Sequence, residues 1–73
     1  MRIQDLATKP FPRTGVLKAS TWKAVKVSDS VRHIYHYSTL MAEVSGDSLT
    51  QVSEGWGSMS DKCGMARLRR AFA

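Results

Sequence analysis

Few side chains in this sequence have the chemistry of a reaction centre. The soft or imidazole ligands are His33, His36, Cys63 and four methionines. Residues three apart on a strand point to opposite faces, so His33 and His36 could not easily chelate one ion. No Cys-x-x-Cys or His-x-x-x-His spacing occurs, so no metal or other cofactor is expected. Serines, aspartates and two histidines are present, but no nucleophile elbow or similar local signature accompanies them. Cys63 falls near the start of a predicted helix, where the dipole favours a thiolate. An ordinary, partly buried cysteine is the simpler reading. No Gly-rich phosphate loop of Walker or Rossmann spacing occurs. The expectation is that the chain is not an enzyme.

The basic residues offer a better lead. The 73-residue chain has a net charge of +5, and that charge is segregated. Residues 1–32 carry a net +5, residues 33–61 a net −4 with no Lys or Arg, and residues 62–73 a net +4. If the ends meet in space, one side of the fold is basic and the other acidic. Lys23, Lys26, Arg32, Lys62, Arg67, Arg69 and Arg70 are the candidate contacts to duplex DNA. No ordered base-reading pattern is evident, so backbone contact with little sequence preference is expected. Each neutralised phosphate would add about 0.9 to the salt slope. Trp22, Tyr35 or Tyr37 could stack on bases if an open sheet face took single strands, although a chain this small needs its large side chains for the core. The basic residues could also simply solvate the surface. The alternative contact is with a protein, through Glu43, Asp47, Glu54 and Trp56.

Those residues must be positioned by a small fold. At 42% hydrophobic and 23% charged residues, the composition is that of a globular chain. Residues 1–15 read as an arm or weak short helix, ended by Lys9-Pro10-Phe11-Pro12, with Phe11 plugging one end of the core. Residues 16–73 read as one domain. Val16–Val27 reads as one strand or two, and Ser28-Asp29-Ser30 as a turn. Val31–Val44 reads as one long strand bent near Ser38. Ser45-Gly46-Asp47-Ser48 reads as a hairpin turn, with Gly46 or Asp47 at positive φ. Leu49–Met59 reads as a return strand interrupted at Gly55. Ser60-Asp61 then caps a helix whose apolar stripe is Met65, Leu68 and Phe72. Gly64 weakens that helix by about 1 kcal/mol relative to alanine. The expected class is α+β: a three-stranded antiparallel sheet, four-stranded if the first segment splits, covered on one face by the C-terminal helix.

One cysteine forms no internal disulfide, and no long apolar run or signal-peptide core occurs, so a soluble cytoplasmic chain is expected. A thin core favours a homodimer.

The segments His36-Tyr37-Ser38-Thr39-Leu40-Met41-Ala42-Glu43 and Gly55-Trp56-Gly57-Ser58-Met59-Ser60-Asp61-Lys62, with Gly64-Met65, resemble small proteins of actinobacterial phages. Those proteins share a His-Tyr-x-Thr strand, a Gly-Trp-x-Ser strand and a Ser/Thr-rich start to a last helix. The Arg67-Leu68-Arg69-Arg70 tail departs from that pattern. The resemblance brings no catalytic residues with it. It implies a bacteriophage protein in the host cytoplasm that acts in host takeover. Such a protein would bind DNA and inhibit transcription, or would inhibit a host protein such as RNA polymerase or a nuclease.

Overall fold

The structure is a computed structural model and describes residues 1–53 and 59–72. Five strands follow one another as an antiparallel meander: β1 Val16–Ala19, β2 Trp22–Lys26, β3 Val31–His36, β4 Thr39–Ser45 and β5 Ser48–Gln51. A short helix, α1 Asp5–Thr8, precedes them, and α2, Met59–Arg70, follows. The α+β class and the C-terminal helix agree with expectation, while the sheet has one strand more than the four allowed.

The extra strands come from turns without the usual turn residues. Val16–Val27 splits at Ser20-Thr21, and Val31–Val44 folds back at Tyr37-Ser38 rather than bending. Ser20 has φ 58° and Tyr37 has φ 57°, the only non-glycine residues at positive φ among the described residues. Each takes the first central position of a two-residue hairpin, where positive φ is required and glycine is usual. The strain costs about 1–3 kcal/mol at each site and must be offset by the surrounding pairing. His36-Tyr37-Ser38-Thr39 is therefore not one continuous strand: Tyr37-Ser38 is the turn between the end of β3 and the start of β4. Gly46, at φ 59°, makes the β4–β5 turn as expected. The return strand stops at Gln51, well short of Met59. Its continuation through Gly55-Trp56-Gly57 lies outside the described residues.

Period-2 alternation sets two faces. Leu17, Ala19, Trp22, Ala24, Ile34, Ala42 and Val44 are buried on one. The apolar stripe of α2, Met65 and Leu68, covers that face, and Phe72 packs at its margin. Met41 joins the core through a β-bulge. Ile34 pairs with Ala42 but Tyr35 with Leu40, which leaves Met41 unmatched. Its carbonyl accepts from Val52 N at 2.8 Å and Ser53 N at 3.2 Å, so the bulge anchors the exit of β5. The other face is left open by the described residues and holds half-buried Val16, Val25, His33, Tyr35 and Leu40.

Residues 1–15 are built into the fold. Leu6 is fully buried, Ala7 nearly so, and Phe11 packs against the core as expected. Arg32 holds this segment in place. Its Nη1 donates to the carbonyls of Leu6 at 2.8 Å and Lys9 at 2.9 Å, and its guanidinium lies 4.3 Å from the Phe11 ring centre. Burial lowers its pKa from the usual arginine range.

The helix α2 begins at Met59, so Ser60 and Asp61 both lie within its first turn, one or two residues past the position expected for them. Gly64 is buried against the sheet. A Cβ there would clash with the Trp22 ring at Cζ2, Cε2 and Nε1. The glycine that propensity counts as a defect is what lets the helix approach the indole.

This reverses the sign expected of one substitution. Helix propensity alone would have Gly64→Ala stabilise the fold by about 1 kcal/mol. The indole contact makes it destabilising by about 1–3 kcal/mol. The urea midpoint measures which applies. A second variant, Arg32→Ala, frees the N-terminal segment and is expected to speed tryptic cleavage after Arg13.

Candidate functional site

Two sets of side chains meet where β1 turns into β2. The first is a polar chain running inward from the surface. Trp22 and His36 are cross-strand partners, and their rings stack at 4.4 Å with 8° between planes. That stack fixes the plane of the imidazole and aims its two nitrogens in opposite directions. Nδ1 lies 2.5 Å from Asp61 Oδ1, on α2. Nε2 lies 2.9 Å from Thr21 Oγ1, in the β1–β2 turn. His36 and Asp61 are 5% and 3% exposed, whereas Thr21 is at the surface. The Tyr37 amide donates to the Thr21 carbonyl at 2.9 Å, so the two strained turns are tied together beside the relay. A hydroxyl, an imidazole and a buried carboxylate thus stand in line, drawn from a turn, a strand and a helix.

The second set is basic. A cleft of about 500 Å³ opens at the β1 edge, lined by Arg2, Ile3, Gln4, Ala19, Ser20, Arg67 and Arg70, together with Met1. Three guanidinium side chains from opposite ends of the sequence converge there. On the open face beside the same edge, Lys18 lies directly opposite Lys23. Like charges directly opposed across a strand pair are destabilising. Lys23 Nζ sits 5.3 Å from the Tyr35 ring centre, which relieves part of that repulsion.

The seven basic residues singled out by sequence are therefore not one surface. Arg67 and Arg70 share the cleft, and Lys23 stands on the open face. Lys62 is exposed near the start of α2. Lys26 pairs with Asp29 at 3.7 Å, and Arg69 donates to Gln51. Arg32 is a clamp within the fold. Arg2 and Lys18 were not singled out by sequence. Arg2 joins Arg67 and Arg70 through the packing of the N-terminal segment against the β1 edge, while Lys18 stands on the open face.

Of the acidic set, Glu43 accepts from His33 at 3.2 Å on the open face and Asp47 is exposed in the β4–β5 turn. Glu54 and Trp56 lie outside the described residues. Trp22 is only 2% exposed and offers no face for a base, while Tyr37 is 67% exposed and Tyr35 is half-buried. Cys63 is exposed rather than partly buried. His33 and His36 occupy opposite faces. Among the described residues, no three His, Cys, Asp or Glu side chains are grouped to hold a metal ion. No helix there is long and apolar enough to cross a membrane.

No family model, curated protein or solved structure matches the chain.

The relay has a stability consequence. Removing the carboxylate in Asp61→Ala leaves a buried imidazole N–H without this acceptor. The expected loss is about 1–3 kcal/mol, read from the midpoint of chemical denaturation.

Proposed function

We propose that the chain binds duplex DNA through its phosphate backbone, with little regard to sequence. The observation that carries this reading is the convergence of Arg2, Arg67 and Arg70 on one cleft, with Lys18 and Lys23 across the same sheet edge. Arginine suits such a role because its planar fork matches phosphate oxygens two at a time. The opposed lysines support it as well, since a bound anion would relieve their repulsion. No ion pair joins Lys18, Lys23, Arg67 or Arg70 to an acid among the described residues, so these charges remain available there. A protein that coats DNA in this way obstructs a transcribing polymerase, which is how it would inhibit transcription in a host cell. The acidic alternative draws less support, because Glu43 is already engaged by His33.

Fluorescence anisotropy with several unrelated duplexes, repeated across a range of salt, tests the proposal. All duplexes should bind alike, and affinity should fall steeply with salt. The double variant Arg67→Gln/Arg70→Gln should lower the salt slope by about 2, near 0.9 for each phosphate no longer neutralised. Absence of binding at low salt, or an affinity indifferent to salt, overturns the reading.

A further inference from the structure

Thr21 is the solvent-facing end of the relay that begins at Asp61. A proton on His36 Nδ1 satisfies the Asp61 carboxylate at 2.5 Å. That tautomer leaves a lone pair on Nε2, aimed at Thr21 Oγ1 at 2.9 Å. The Trp22 ring lies flat on the imidazole and holds its plane. Burial of both His36 and Asp61 keeps water from competing for the bond between them. These are the relations by which a base withdraws the proton of a hydroxyl nucleophile. The backbone adds an independent sign. The two non-glycine residues at positive φ among the described residues, Ser20 and Tyr37, immediately flank Thr21 and His36. Strain of this kind gathers where a side chain is held for use.

We propose that Thr21 is an activated nucleophile that takes an acyl group from a carboxylic ester, with His36 as general base and Asp61 as its positioning partner. Thr21 Oγ1 attacks the ester carbonyl while its proton passes to His36 Nε2. The tetrahedral adduct collapses by breaking the bond to the alcohol oxygen, and His36 returns the proton to that oxygen. The acyl group remains on Thr21 until water attacks the acyl carbon and passes a proton to His36. That adduct collapses by breaking the bond to Thr21 Oγ1, which takes the proton back from His36 as the acid leaves. The favoured acyl group carries a negative charge, because Ser20, next to Thr21, lines the cleft of Arg67 and Arg70. This inference does not rest on DNA binding.

The test treats the full chain with p-nitrophenyl acetate and with the mono-p-nitrophenyl ester of succinic acid. It follows p-nitrophenolate release and maps the acyl group by peptide mass spectrometry. Acylation at Thr21 ahead of Thr8 and Thr14 is expected, with the succinyl ester reacting faster. Thr21→Val, an exposed and nearly isosteric change, should abolish that label. Asp61→Asn should slow labelling about a hundredfold while circular dichroism remains that of the parent. If Asp61→Asn unfolds, Thr21→Ser provides the second check and should retain labelling. Label confined to lysines, or equal release by Thr21→Val, overturns the nucleophile. Equal rates for the two esters overturn the anionic substrate class.

Discussion

The flat stack of Trp22 on His36 is the contact on which the rest of the molecule depends. It lies at one end of the covered face, beside the β1–β2 and β3–β4 turns, and three separate requirements meet at it. The indole needs a helix without a side chain where it touches, which Gly64 supplies. The imidazole needs partners for both nitrogens in a dry setting, which Thr21 and Asp61 supply. The two rings need adjacent strands in register, which the hairpins at Ser20-Thr21 and Tyr37-Ser38 impose. A core this small has few large side chains, so one aromatic pair has an influence that a larger domain would spread over many.

The polar chain beneath that stack also gives the helix a unique seat. Apolar contacts of Met65 and Leu68 would tolerate a small slide of α2 along the sheet. A 2.5 Å bond between Asp61 and a ring already locked by tryptophan would not. The same bond fixes the azimuth of α2, and with it the direction in which Arg67 and Arg70 project. The proposed phosphate contacts and the proposed nucleophile are thereby positioned by one internal hydrogen bond, although they would act independently.

The parts of this arrangement that local pattern could reveal were the elements with ordinary periodicity. Met65 and Leu68 mark the buried side of α2, Phe72 packs just beyond its end, and Gly46 marks the β4–β5 turn. The hairpin at Tyr37-Ser38 was hidden because a bulky aromatic takes the position glycine normally fills. The bulge at Met41 was hidden for a related reason, since one inserted residue reverses parity halfway along β4. The site was less legible than the fold. Thr21, His36 and Asp61 are 15 and 25 residues apart, and only the strand register and helix seat bring them together. Arg32 looked like any other basic residue in a charged block. Nothing local in the sequence shows that its guanidinium is occupied by two backbone carbonyls.

The uninterrupted meander also has a kinetic meaning. Every strand pairs with its neighbour in the chain, so four successive hairpins can form by closing short loops, each at small entropic cost. Contacts of that kind favour rapid folding. The bond from Asp61 to His36 spans a longer stretch and needs β2, β3 and the turn between β3 and β4 already in place. Closure of short loops thus favours the sheet over the docking of α2, and the relay through His36 is complete only when both are in place.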